Sequence, residues 1–442
     1  GPQRCETATP CVTAPVDQNI VESLLRDRAK ELGAHVEFGT QMCGFTQHGT
    51  GVDVRLRDRF DEERPMCVRY LVAADGAQSP IRRQIGTPME VFGESFDMLS
   101  MLVEADLRPA LAGRTVHMAH LNRPRPRSFL MALDGTRRRW AFGTTDDLET
   151  PEPDAWECVE LVRDAVGDPE LPVGLLPHIT GTDMIVSKFA VGAAVAAHYR
   201  YGRVFLAGDS AHLMPPTAGF GAATGVADAH NLAWKLAAVV GGQAGDGLLD
   251  SYHDERHPVA RFTLRQSLAR TVSTPGVDSG HSWTDVDAIV DRDSVMMGYH
   301  YRSSAVVDVV ADAHSVTTAA GLSGEPGTRA PHLWLTDTPT HLSTIDMYGS
   351  RFVLLAGEDG YAWMTAAHTL PVQVDAYRLG VDIGGPDAAA RHGIGPRGAA
   401  LVRPDGYVAW RSLGMVPLPT DRLFSVLNTV LSASSAHSPR MV

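Results

Sequence analysis

An α/β fold in several domains is what this sequence predicts, on three observations. A short apolar run at 204–207 ends in Gly208-Asp209 and, after a loop rich in proline and glycine, passes into an apolar-periodic segment; this reads as strand, loop, helix. An earlier apolar run at 70–74 delivers Asp75-Gly76 into a turn in the same manner. Between the two, residues 87–192 change to short alternating segments of the kind found in mixed or antiparallel sheets.

Composition narrows the class. With 442 residues the chain is long enough for two or three domains, each with a core. Its 44% apolar and 21% charged residues suit a soluble globular protein. A net charge of −13 without an offsetting basic stripe argues against nucleic acid or an anionic membrane as partner. No apolar run reaches the roughly 18 residues of a membrane span, and no signal-peptide pattern is present. Five cysteines, at positions 5, 11, 43, 67 and 158, lack metal-ligand spacing, and their odd count suits reduced thiols in the cytoplasm. No metal is expected.

The elements follow in order. The chain opens Gly1-Pro2-Gln3, without an initiator Met, as a cut chain would. Asn19 offers a helix cap with Glu22 three residues later, and Val21, Leu24, Leu25 and Leu32 follow at helical spacing up to Gly33, which predicts a helix over 20–32. Strands are predicted at 36–38, 52–56 and 68–73, where β-branched and polar residues alternate. The last of these leads to Asp75-Gly76, with Ser79 and Arg82 able to reach the same pocket. Further strands are predicted at 98–104, 115–120, 128–133 and 140–143.

The loop after 204–207 has a physical purpose. Gly219 and Gly221 let the backbone approach a ligand, and a helix starting near Thr224 aims its unpaired N–H groups and positive dipole end at the same place. Asp209, at the carboxyl end of the strand, suits sugar or ribityl hydroxyls. An ordinary strand–turn–helix has the same spacing, so this motif alone leaves both readings open. Beyond it the helix runs to Gly241-Gly242, and 248–256 and 259–272 read as two helices divided by Pro258. A polar loop at 273–282 follows. Past 324–327 a third unit is predicted, with strands at 351–357 and 372–379, a hairpin at 401–411 turning on Pro404-Asp405-Gly406, and a closing helix over 421–431.

In this order, the stretches 201–236 and 70–83 resemble the second flavin motif and the Asp-Gly motif of FAD-dependent aromatic hydroxylases. These are the para-hydroxybenzoate and phenol hydroxylases, and the tetracenomycin-type polyketide branch is the most similar. The resemblance spans about residues 14–431. It implies a glutathione-reductase-like, three-layer FAD-binding domain (1–86 and 193–272) with an inserted mixed-sheet substrate domain (87–192). A helical linker (273–328) and a thioredoxin-like domain (329–442) complete the chain. No cysteine follows residue 158, so that last domain lacks thiol–disulfide chemistry; a structural or subunit-contact role is expected, compatible with a homodimer.

The resemblance also implies FAD as cofactor and NAD(P)H as co-substrate. It puts Gly208 and Asp209 on the ribityl chain, Pro216, Gly219 and Gly221 beside the flavin ring, and Asp75, Gly76 and Arg82 near the pyrophosphate. Gln18 matches a position on the flavin side. Ala222 and Ala223 stand where Gly-Asn is usual, Ala227 where Gln is usual, and Gln78 where a basic residue is frequent. Met101, His117, His120, Phe129, Met131 and Trp140 are candidates for lining the substrate cavity. His212 and His300 read better as structural than as a base, so no catalytic residue is assigned. Tyr252, Arg256 and Pro258 match a Tyr-x-x-Glu-Arg-x-Pro stretch that packs helices behind the flavin, and 298–304 resembles a short motif of the polyketide branch.

The implied reaction inserts one oxygen atom of O2 into the electron-rich ring of a phenol or aromatic polyketide, through a flavin hydroperoxide. The G-x-G-x-x-G segment that opens such proteins and holds the ADP half of FAD is not found, so the FAD-binding domain is expected to be incomplete at its N-terminus. If that segment is truly absent, FAD binding is expected to be severely weakened. Two alternatives stay open: Baeyer–Villiger-type oxidation of a polyketide by the same fold, and a non-catalytic scaffold without a complete FAD site.

Overall fold

The computed structural model describes residues 8–11, 16, 18–133, 136–179, 181–217, 219–273, 287–309, 316–335 and 342–432. The loop predicted at 273–282 lies outside them except for Ser273. Helix α1 (Gln18–Glu31) leads into an antiparallel meander of β1 (Gln41–Gln47), β2 (Val52–Arg57) and β3 (Glu63–Val68). No strand forms at 36–38. Phe38 is 77% exposed, and with no partner strand beside it the segment stays in loop and turn. The run predicted at 68–73 is divided between two sheets, because β3 ends at Val68 and β4 (Leu71–Ala73) pairs elsewhere. Alternation marks a strand but not its partner.

Helix α2 (Pro80–Ile85) follows the Asp75-Gly76 turn, and β5 (Met89–Val91) leads to the central sheet. That sheet is built from β6 (Phe96–Glu104), β7 (Met118–Leu121), β8 (Ser128–Ala132), β9 (Arg139–Thr145), β10 (Gly174–Leu176) and β11 (Val186–Val191). Its order is β10-β6-β9-β8-β7, with β11 also on β6, and every pairing is antiparallel. The short helix α3 (Arg108–Leu111) and helix α4 (Ala155–Val166) are inserted in it. Asp154 and Glu157 close a capping box at the start of α4. Leu99, Met101 and Val103 of β6, Leu130 of β8, and Trp140 and Phe142 of β9 pack with Cys158 and Val162 of α4 as one core. The predicted strand at 115–120 begins only at Met118.

The chain returns through β12 (Ala194–Ala196) and β13 (Arg200–Tyr201) to β14 (Val204–Leu206) and β15 (His212–Leu213). Helix α5 (Phe220–Val240) starts four residues before its predicted position. Gly219, at φ +65°, reverses the chain there, Phe220 is buried, and Thr224 donates its hydroxyl to the Phe220 carbonyl at 2.8 Å inside the helix instead of capping it. Helix α6 (Asp250–Val272) is one helix where two were predicted. Pro258 removes one donor, and buried residues on both sides, from Tyr252 and Arg256 to Ala260 and Leu264, keep the axis continuous.

After α7 (Arg292–Met297) comes the C-terminal unit of β16 (Phe352–Ala356), α8 (Tyr361–His368), β17 (Val374–Arg378), α9 (Ala388–Arg391), β18 (Ala399–Val402), β19 (Val408–Ser412) and α10 (Pro419–Val430). Its sheet runs β17-β16-β18-β19, with β16 and β17 parallel. Trp363, Leu423, Val426 and Leu427 of this unit share a core with Trp234 and Ala238 of α5. The C-terminal unit therefore packs on the helix that begins at the predicted ligand loop. No described helix is long and apolar enough to cross a membrane.

Candidate functional site

Strands β4 and β14 run parallel, with Leu71 opposite Val204 and Ala73 opposite Leu206. Asp75-Gly76 and Gly208-Asp209 therefore leave the sheet side by side at its carboxyl end, where open α/β sheets hold ligands. Arg82 fastens the two turns together. Only 8% exposed, it donates from Nη1 to the Ser210 carbonyl at 2.8 Å and from Nη2 to the Ala77 carbonyl at 2.7 Å. Ser79 caps α2 by accepting from the Arg82 amide at 3.0 Å, and Asp75 Oδ2 accepts from the Ile81 amide at 3.1 Å. Asp75 Oδ1 is buried with no hydrogen-bond partner among the described residues. Such an oxygen is costly unless a bound group or water donates to it.

The second turn faces open space. Gly219 caps α5 without a side-chain hydrogen bond, and a β-carbon added at Gly219 or Gly221 would meet nothing within 4 Å. Asp209 and Pro216 are exposed beside it. A carboxylate, free helix amides and the positive end of a 21-residue helix thus border one space, which fits a ligand offering hydroxyl donors and a region of negative charge.

Beneath the turn lies a buried ionic network. Asp228 on α5 is fully buried; its Oδ2 accepts from the Gly208 amide at 3.1 Å and from His212 Nε2 at 2.7 Å, and its Oδ1 accepts from Arg256 Nε at 2.8 Å. Burial alone would raise its pKa, but the Arg256 guanidinium and the His212 bond hold it below the usual carboxylate range. His212 donates from Nε2 to the ionised Asp228. Its Nδ1 is buried and without a partner among the described residues, as is the Tyr199 hydroxyl nearby. Sequence reasoning treated Arg256 as helix packing and His212 as structural, and overlooked Asp228. The available signal was a carboxylate set in the alanine-rich face of α5.

The central sheet divides the lining candidates. Phe129 lies opposite Gly143, where a β-carbon would fall 2.2 Å from the Phe129 ring, so the glycine makes room for that ring. His120, paired with Phe129, shares this face, as does Met131, two residues along β8. Met101 and Trp140 do not. They are buried on the opposite face against α4, and Trp140 Nε1 donates to the carbonyls of Ala105 and Arg137. The expectation that they line a cavity is corrected: a helix covering their face was not foreseen. His117 precedes β7 and is exposed. Gln18 donates to Glu22 along α1 at 2.5 Å and has no described bond to either turn. Among the described residues, His48, Asp53 and Cys67 bring donor atoms within 4.8 Å of one another; all three are exposed, and the bond to Asp53 raises the Cys67 pKa.

Comparison with known proteins identifies the family. An FAD binding domain family matches residues 2–267, and an aromatic-ring hydroxylase C-terminal family matches 323–434. The chain is 38% identical to tetracenomycin B2 monooxygenase-dioxygenase of Streptomyces olivaceus, over 94% of this chain and 76% of that one. It is 37% identical to an aklavinone 12-hydroxylase of Streptomyces purpurascens, over 96% and 80% respectively. The fold superposes on an aklavinone-11 hydroxylase solved as a ternary complex with FAD and aklavinone, with a TM-score of 0.86 and 35% identity over 97% of this chain and 80% of that one.

Proposed function

The chain belongs to the FAD-binding aromatic-ring hydroxylases, and from that premise we propose that it adds an oxygen atom to an aromatic polyketide with NAD(P)H and O2. One observation carries the reading: Arg82 ties the Asp75 and Gly208 turns into a single edge facing the uncapped start of α5. FAD, when bound, supplies hydride acceptance from the nicotinamide and activation of O2. The chain's residues do the rest. Asp209 accepts from ribityl hydroxyls, and Asp75 Oδ1 takes a donor from the cofactor or its water. The start of α5, opened by Gly219 and Gly221, stabilises negative charge on the ring by roughly a few kcal/mol. The sheet face carrying His120, Phe129 and Met131 holds the substrate and excludes water.

The reading includes work in the cytoplasm, supported by the odd cysteine count, and a homodimer. The test is to supply the chain with FAD and follow NADH and NADPH oxidation, O2 uptake and products with polyketide phenols and ketones. A phenolic product carrying one added oxygen supports the proposal. Oxygen inserted beside a ketone indicates the Baeyer–Villiger alternative, and failure to retain FAD indicates the scaffold.

A further inference from the structure

Glu255 and Arg256 are consecutive on α6 and lead to different parts of the molecule. Glu255 accepts from Arg403 Nη1 at 2.6 Å and Nη2 at 2.9 Å, from Lys235 Nζ at 2.8 Å, and from the side chains of Asn231 and Ser303 at 2.6 Å each. Arg403 sits at the end of β18 in the C-terminal hairpin and is also held by Asp405. Arg256 goes the other way, to Asp228 Oδ1, to the Thr224 carbonyl at 3.1 Å and to the Tyr301 hydroxyl at 3.2 Å. Tyr301 in turn packs on Tyr407 of the same hairpin, with ring centroids 4.2 Å apart.

Arg403, Glu255, Arg256 and Asp228 are at most 1% exposed. In such surroundings an unpaired charge is far more costly than in water, so these groups keep or lose their partners together. The last link is the Gly208 amide, bonded to Asp228 in a turn whose φ of +61° has no side chain to hold it.

We propose that the C-terminal domain is a positioning element for the Gly208–Asp209 turn, acting from Arg403 through Glu255-Arg256 to Asp228. This rests on reading that turn as the flavin's ribityl contact. The domain has no cysteine with which to exchange disulfides, and its hairpin instead supplies the charge paired with Glu255, the residue next to Arg256 on α6.

Hydrogen exchange of the full chain tests the coupling without FAD, and FAD titration tests its consequence. Arg403→Met is expected to speed exchange of the 207–213 amides by about tenfold or more and to weaken FAD binding by a similar factor. Arg403→Lys, which keeps the charge, should restore part of both and serves as the comparison if Arg403→Met does not fold. Arg351→Met, which removes an exposed ion pair with Asp375 in the same domain, should change neither. In a double-mutant cycle, Arg403→Met and Asp228→Asn should weaken FAD binding by less than the product of their separate effects. Unchanged exchange at 207–213 in Arg403→Met and Arg403→Lys, or factors that multiply, would overturn the proposal. Faster exchange at 207–213 in Arg403→Met with FAD binding left unchanged would instead overturn the flavin reading of the turn.

Discussion

Gly225 lies against Gly208 so closely that a β-carbon on Gly225 would stand 3.1 Å from the Gly208 α-carbon, whereas one on Gly221, a turn earlier in α5, meets open space. Two glycines of one helix thus separate packing from ligand approach. Gly225→Ala should destabilise the protein by about 1–2 kcal/mol, because the turn must shift to admit the methyl group. Gly221→Ala should leave the thermal midpoint equal or higher, since alanine is favoured over glycine in helices by up to about 1 kcal/mol. It should nonetheless weaken FAD binding about tenfold, roughly 1.4 kcal/mol. Thermal unfolding and FAD titration of both variants check the pair.

Arg82 should be needed for folding stability as well as for the cofactor. Arg82→Met leaves the buried Ser210 carbonyl without its donor, at about 1–3 kcal/mol, and also loses the bond to the carbonyl of the exposed Ala77. Urea unfolding should show a lower midpoint with little change in slope. An unchanged midpoint would mean that the two turns are held apart from Arg82.

Glu255→Ala should be among the most damaging single changes, at about 3–5 kcal/mol, because it strands Lys235 in the interior and leaves Arg403 with Asp405 as its remaining partner. Burial already pushes Lys235 down to about 8 even with its partner present. Burial opposes ionisation of Glu255 as well, yet Arg403 and Lys235 hold it well below the usual range. Its contribution is therefore present above the ordinary glutamate pKa and is lost as acid protonates it. Denaturant titrations of Glu255→Ala and Glu255→Gln measure the loss.

A milder acid sensitivity should come from the histidines beside Tyr199. The rings of His253 and His257 lie 4.8 Å apart, with His198 5.6 Å from His253. Burial, with His253, Arg261 and His198 adding to it, pushes His257 from 6.5 down to about 4. Between those values the unfolded chain binds a proton that the folded chain refuses, so stability should fall as pH drops through that window. The pH dependence of the thermal midpoint should flatten there in His257→Asn. An unaltered slope would show that His257 is not the group responsible.

The ligand edge was legible in the sequence because it is local. Asp75-Gly76, Gly208-Asp209 and the glycines after Pro216 announce themselves through turn chemistry at the ends of apolar runs. What was not legible depends on partners distant in the chain. Arg82 reaches Ser210 across 128 residues, and Glu255 reaches Arg403 across 148. The same cause misplaced Met101 and Trp140, whose strands read identically whichever face α4 covers. Pro258 misled for a different reason, since tertiary burial on both sides overrode a local helix breaker.

The measurement that bears most directly on the account is a titration of the chain with FAD, followed by flavin fluorescence and the visible spectrum, beside Gly221→Ala. The account predicts saturable quenching with a perturbed flavin band, weakened in Gly221→Ala at unchanged thermal stability. Equal binding by Gly221→Ala would contradict the assignment of the two turns and the start of α5 as the flavin site.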